Sequence, residues 1–340
     1  MKKGKYLITG CAGFIGYHLT KDLLEENHNI IGIDNLNDYY SEELKKLRLN
    51  ELKKFPNFSF SLLGIENFQR MKKIFEKNNF NLVINLAAQA GVSLSVEKPR
   101  AYFDSNILGF FNILELCKEL KIKRLIYASS SSVYGDNLKI PFSSKNPADH
   151  PKNFYAASKR SNELFAHSFS RLYQLETIGL RFFTVYGPWG RPDMAVLKFI
   201  KNIDSKKEIF VHNNGKHLRD MTYIDDCIQF IKKSIKYKFN KTKISNLDLD
   251  ESFGPWKIFN VSRGETVKLN TLINIISKKL NIKPVKKLLP LQKGEVLQTF
   301  GDISISEKEL SFQPSVSIED GIEKTVDWYL LNKNKIKKYL

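Results

Sequence analysis

Cysteine is scarce: Cys11, Cys117 and Cys227 are the only three in 340 residues, and no two have paired spacing. That excludes a disulfide framework and a cysteine-rich metal site. The six histidines form no H-x-x-x-H or H-x-E pattern, so no metal is expected. No apolar run approaches the length that spans a bilayer. After Met1-Lys2-Lys3-Gly4-Lys5 only Tyr6-Leu7-Ile8 follows before Thr9-Gly10, too short for a secretory core. A cytoplasmic protein with no membrane partner is expected. Acidic residues are outnumbered, 36 against 54 Lys and Arg, for a formal charge of +18. Yet the lysines are spread thinly among Asn and Ile, with no basic block interleaved with aromatics, so no nucleic-acid partner is expected. A small anionic substrate fits the charge equally well.

What is present centres on Tyr155-Ala156-Ala157-Ser158-Lys159, preceded by Ser129-Ser130-Ser131-Ser132-Val133-Tyr134-Gly135. A helix from about Phe154 to Tyr173 puts Tyr155 and Lys159 on one face. Tyrosine is a poor base at its ordinary pKa of about 10, and a fixed ammonium nearby favours the phenolate. A serine hydroxyl, Ser130 or Ser132, would hold a substrate alcohol in line with it.

Upstream, Lys5 to Thr9 reads as a buried strand, followed by Gly10-Cys11-Ala12-Gly13-Phe14-Ile15-Gly16 and an apolar stripe of Phe14, Ile15, Leu19, Leu23 and Leu24 at helical spacing. Strand, glycine turn and helix in that order suit a pyrophosphate at a helix N-terminus. A second strand, Asn29 to Ile33, ends in Asp34, eighteen residues beyond Gly16. A carboxylate there accepts hydrogen bonds from ribose hydroxyls and repels a 2′-phosphate, which selects NAD over NADP. Further strands are expected at Asn57 to Leu63, Leu82 to Leu86, Arg124 to Ala128 and Thr177 to Phe182, with helices at Tyr39 to Lys54 and Tyr102 to Leu120. Leu82 to Leu86 runs into the small residues Ala87-Ala88-Gln89-Ala90-Gly91-Val92, suited to close approach of a cofactor. The alternation predicts an α/β fold with a doubly wound parallel sheet. Residues 1–183 are expected to form the NAD-binding domain, with returning segments near 218–235 and 256–262. Residues 184–340 mainly form a smaller substrate-binding region. Arg219 to Asp226 is expected to open a helix, and Lys238 to Trp256 to be an exposed loop.

These strings resemble the extended short-chain dehydrogenase/reductases, and among them the sugar-nucleotide 4-epimerases. The similarity is strongest to UDP-glucuronate 4-epimerases, through Asp34-Asn35-Leu36-Asn37-Asp38-Tyr39-Tyr40, Ala87 to Val92, the four-serine run and Leu180 to Ala195. The resemblance implies NAD as a retained cofactor, held by Gly10, Gly13, Phe14, Ile15, Gly16, Asp34, Asn35, Ile65, Leu86, Ala87, Ala88, Gln89, Asn106, Tyr155 and Lys159. It implies Tyr155 as base for the sugar O4, aided by Ser130 or Ser132, with Lys159 lowering the tyrosine pKa. Thr184, Arg191, Arg219 and Gln292 are the implied substrate contacts, Arg191 as a carboxylate clamp and Arg219 at the UDP phosphates. A homodimer through the helices at 102–120 and 154–173 is implied as well. The alternatives are a 4-epimerase of a neutral UDP-hexose or UDP-N-acetylhexosamine, or a related dehydratase. Dehydratases of this group, however, place carboxylic acids where this chain has Ser131 and Ser132. Three positions depart from the family pattern: Ser93 where an arginine is usual, with Arg100 as a substitute, Gly64 where an aspartate contacts adenine, and Asn67 for a further aspartate.

Overall fold

The computed structural model describes residues 3–239, 248–290 and 297–340. Ten strands concern the site: β1 (Lys5–Thr9), β2 (Asn29–Asp34), β3 (Phe58–Leu62), β4 (Leu82–Asn85), β5 (Arg124–Ser130), β6 (Glu176–Phe182), β7 (Thr184–Tyr186), β8 (Ile209–His212), β9 (Leu218–Tyr223) and β10 (Trp256–Val261). Seven of them make one all-parallel sheet in the order β3-β2-β1-β4-β5-β6-β10. Strands such as β4 and β10 are buried along their whole length, as a parallel sheet covered by helices on both faces requires. The order reverses between β1 and β4, so a crevice opens at their carboxyl ends, where open α/β sheets bind ligands.

The helix Phe14–Glu25 lies on one face because Leu19, Leu23 and Leu24 recur on one side and are buried. Each such leucine contributes about 1.5–3 kcal/mol. Lys232, on the helix Ile224–Ile235, reaches Asp22 at 2.5 Å and Glu26 at 2.7 Å and ties that later helix to it. The helix that carries Tyr155 and Lys159 forms at Phe154–Tyr173 as expected, with Asn153 accepting the backbone N–H of Ala156 at 2.9 Å as its N-cap.

The helix expected from Tyr102 to Leu120 is interrupted. Pro99–Tyr102 and Gly109–Glu119 are α-helical, but Phe103–Leu108 is a π-helical turn. Such turns concentrate at functional sites, and this one carries Asn106. The expectation that Arg219 to Asp226 opens a helix is corrected: Leu218–Tyr223 is a strand, and the helix starts at Ile224. Asp220 is the reason, since its fully buried carboxylate accepts backbone N–H groups of Arg263 at 2.7 Å and of Gly264 and Gly301 at 3.1 Å. It anchors a small sheet in which β9 pairs with β7 and with Thr266–Lys268. Part of the loop expected at 238–256 lies outside the described residues. Among the described residues no helix is long and apolar enough to cross a membrane.

Candidate active site

The glycine turn fits against the sheet with no room to spare. Gly10 has φ +72°, and a Cβ there would sit 2.7 Å from the amide nitrogen of Ala87, while one on Gly16 would sit 2.0 Å from the Gly10 carbonyl oxygen. Only glycine permits this approach. The helix that follows has no side-chain N-cap, so its first N–H groups are left for an anion. Asp34 closes the end of β2, where Oδ2 accepts the N–H of Ala12 at 3.0 Å and Oδ1 that of Leu36 at 2.9 Å. Its carboxylate is thereby aimed along the same cleft.

One continuous cleft is lined by Gly10, Gly13, Phe14, Ile15, Gly16, Asp34 and Asn35 at one end, and by Ile65, Leu86, Ala87 and Ala88 in the middle. Ser130, Tyr155, Lys159 and Arg191 line its far end. Sequence reasoning had named all of these. The residues present thus fit a dinucleotide: a glycine cradle, an uncapped helix end and a carboxylate for a ribose.

Two expected cofactor residues act behind the wall. Asn106 accepts the N–H of Gln89 at 2.8 Å, and its own amide donates to Gln89 O at 3.2 Å and Ser158 Oγ at 3.0 Å. Ser158 in turn donates to Tyr155 O at 2.8 Å. The loop after β4 and the helix Phe154–Tyr173 are therefore pinned to each other through Asn106.

At the reacting end, Ser130 rather than Ser132 faces Tyr155. Burial pushes the Tyr155 phenol up, and the nearby Ser130 hydroxyl and Arg191 guanidinium draw it down by less. Ser132 is the second residue of the short turn Ser131–Tyr134, and its backbone N–H donates to Ser130 Oγ at 3.1 Å. Lys159 Nζ donates to Ala128 O at 2.9 Å, and burial pulls its own pKa from 10.5 to about 8. Glu163, one turn further on, is buried and accepts from Ser129 Oγ at 2.6 Å and from Arg181 at 2.8 and 2.9 Å. That network fixes the end of β5 against the helix Phe154–Tyr173.

Arg191 does not offer a bare guanidinium. Its Nε donates to Asp193 Oδ1 at 3.1 Å and its Nη2 to Asp193 Oδ2 at 2.5 Å and to the Tyr39 hydroxyl at 3.2 Å. Arg219 lies on β9, where Nη1 donates to Leu218 O at 3.0 Å and Leu297 O at 3.1 Å. Thr184 opens β7 between cleft residues Phe183 and Val185 without lining the cleft itself. Gln292, with the rest of Gln292 to Val296, lies outside the described residues. Arg100 does not replace the arginine absent at Ser93, because it is 84% exposed and pairs with Asp104 on the helix surface.

Three contributions escaped the sequence reading. Glu66 lines the cleft and curls back over Gly64, so that a Cβ on Gly64 would lie 1.9 Å from Glu66 Oε1. A carboxylate thus lies beside position 64, while Asn67 caps the helix Phe68–Glu76 by accepting the N–H of Arg70 at 3.1 Å. Arg48 is fully buried and donates to Ala12 O at 3.0 Å, the Tyr40 hydroxyl at 2.6 Å, Trp189 O at 2.6 Å and Gly190 O at 3.0 Å. One guanidinium thereby joins the glycine turn to the loop that carries Arg191. Asp193 is the third. None of the three contacts follows from local periodicity.

A doubly wound sheet with a glycine turn, an acid at the end of β2 and a Tyr-x-x-x-Lys helix over its carboxyl edge defines a dinucleotide-dependent enzyme that oxidises or reduces an alcohol. The chain belongs to the NAD dependent epimerase/dehydratase family, whose model matches residues 6–247. It is 47% identical to Protein CapI of Staphylococcus aureus over 96% of this chain and 98% of that one. It is 41% identical to a UDP-glucuronate 4-epimerase of Thermodesulfobacterium geofontis over 98% of each. Among solved structures, UDP-glucuronic acid 4-epimerase from Bacillus cereus in complex with UDP-glucuronic acid and NAD matches with a TM-score of 0.84 and 31% identity, over 96% of this chain and 99% of that one.

Proposed function

We propose that the protein inverts C4 of a UDP-hexuronate, interconverting UDP-glucuronate and UDP-galacturonate. The observation that carries this is the meeting of Tyr155, Ser130 and Arg191 at one end of the dinucleotide cleft, with serine rather than carboxylic acid at 131 and 132. The similarity to UDP-glucuronate 4-epimerases supports it.

Held along the cleft by the glycine turn and Asp34, NAD would supply the acceptor and donor of a hydride at C4. Tyr155 takes the O4 proton as that hydride leaves and gives it back afterwards, so the cycle is redox-neutral. Ser130 holds O4 in line with the phenol. Burial lowers Lys159 to about 8, and its ammonium would bond the nicotinamide ribose. Asp34 would take the adenosine ribose hydroxyls and Glu66 the adenine amino group. A 4-keto uronate loses carbon dioxide easily, so Arg191 must hold the carboxylate bidentately in a geometry that disfavours cleavage. Ser131 and Ser132 supply no acid or base for elimination at C5 and C6, which argues against a dehydratase.

We extend the proposal to the lobe around residues 184–340 as the sugar-nucleotide side, with Thr184, Arg219 and Gln292 as its contacts. It also includes a cytoplasmic homodimer. Supporting the dimer, the helices around 103–119 and 154–173 leave Phe103, Phe111, Leu164, Leu172 and Tyr173 between 39% and 67% exposed. Such a face is expected to be covered. The test is incubation of the purified protein with UDP-glucuronate without added NAD, followed by mass spectrometry and NMR of the sugar. A product of unchanged mass with inverted C4 supports the proposal. Conversion of UDP-glucose or UDP-N-acetylglucosamine alone would move it to neutral sugars.

A further inference from the structure

The contacts of Arg191 point to a residue that sets the balance between anionic and neutral substrates. A planar guanidinium binds one carboxylate bidentately through a pair of N–H groups. Here the Nε and Nη2 edge is already taken, by Asp193 Oδ1 at 3.1 Å and Oδ2 at 2.5 Å. The two residues are held face to face by a tight turn in which Met194 N–H donates to Arg191 O at 3.2 Å. The pair is completed by Tyr39. The Tyr39 hydroxyl accepts from Arg191 Nη2 at 3.2 Å and donates to Asp193 Oδ2 at 3.3 Å, with the guanidinium carbon 5.2 Å from the centre of the Tyr39 ring. Tyr39 in turn is wedged against Gly91, where a Cβ would lie 2.1 Å from its hydroxyl oxygen. Tyr39, Arg191 and Met194 line the cleft beside Tyr155.

Resting on the reading that Arg191 receives the sugar carboxylate, we infer that Asp193 is an internal competitor for that carboxylate and thereby a specificity-determining residue. With a neutral sugar Asp193 keeps its place, and Arg191 adds no net positive charge to the cleft. With a uronate, the incoming carboxylate takes the Nε and Nη2 edge, and Asp193, 37% exposed against 23% for Arg191, turns outward to water. The exchange trades one bidentate pair for another and frees the Tyr39 hydroxyl to donate to the substrate. The displacement of Asp193 is a cost borne by anionic substrates alone. Removing its charge while keeping its shape therefore favours uronates selectively.

The experiment is calorimetric titration of the NAD-loaded protein with UDP-glucuronate and with UDP-glucose, for the wild type, Asp193→Asn and Asp193→Glu. In Asp193→Asn the ratio of the two dissociation constants is expected to move about ten-fold toward UDP-glucuronate. In Asp193→Glu, which restores the charge, it stays within about two-fold of wild type. Adding Arg191→Gln to Asp193→Asn should abolish the gain, and unfolding curves establish that each variant folds. A ratio that does not move, or that moves toward UDP-glucose, overturns the inference and leaves Asp193 as a support for the loop. If the wild type inverts UDP-glucose alone, the uronate reading fails, while the shift in the ratio still decides the role of Asp193.

Discussion

Lys159 is placed where it destabilises the protein that needs it. The ammonium is buried with Ala128 O as its hydrogen-bond acceptor at 2.9 Å, and burial lowers its pKa from 10.5 to about 8. The folded protein therefore binds this proton less tightly than the unfolded chain does. Below about pH 8 both states are protonated and the folded state carries the whole penalty, about 3 kcal/mol from the difference between those two values. Between pH 8 and 10.5 the unfolded chain holds more protons, so stability from this residue rises with pH, and above 10.5 the penalty is gone. Lys159→Met removes the charge but leaves Ala128 O without its donor, at a cost of about 1–3 kcal/mol. At neutral pH the variant should equal or exceed the wild type by up to about 2 kcal/mol. As pH rises toward 10.5 the wild type should gain about 3 kcal/mol on it. Urea unfolding of nucleotide-free wild type and variant, at several values from pH 7 to 10.5, reads this difference, and other titrating groups cancel between the two proteins. A difference constant to within about 0.5 kcal/mol across that range would refute the reasoning.

Three other outcomes follow from the geometry. Tyr155→Phe should lower kcat by about 10²- to 10⁴-fold, the span of general acid–base catalysis, while the purified protein keeps its NAD, as absorbance of the released nucleotide would check. Gly16→Ala puts a Cβ 2.0 Å from Gly10 O; the turn must open, with stability reduced by about 1–3 kcal/mol and bound NAD depleted on gel filtration. Arg48→Met strips four hydrogen bonds from Ala12 O, the Tyr40 hydroxyl, Trp189 O and Gly190 O, costing about 3–5 kcal/mol in denaturant unfolding. Because it joins the two loops, NAD retention and the KM for the sugar nucleotide should both worsen in that variant.

Much of the fold was legible because it is periodic. The strand, turn and helix from Lys5 to Glu25, and the helix Phe154–Tyr173, announce themselves through apolar spacing and glycine. Asp34 does so through its distance from Gly16. Strand β9 was not legible, since Arg219-Asp220 looks like a polar helix start until three distant backbone N–H groups are seen on Asp220. The π-helical turn at Phe103–Leu108 was hidden for a related reason: it serves Asn106, whose partners lie at Gln89 and Ser158. In the site, the residues that face the cleft from strand ends were foreseeable. Arg48 between two loops depends on where the chain returns in space, while Glu66 over Gly64 and Asp193 on Arg191 are side-chain contacts two residues apart that periodicity does not report. Which of Ser130 and Ser132 meets Tyr155 depended on the turn at Ser131–Tyr134.

The central claim is that hydrogen leaves C4 as hydride and returns to the same carbon on its other face. UDP-glucuronate deuterated at C4, mixed with unlabelled substrate of distinguishable mass in the uridine and incubated with the protein, tests it directly. The account requires UDP-galacturonate with deuterium still on C4 and no crossover into the unlabelled pool. Loss of the label to water, or carbon dioxide release in place of inversion, would contradict it.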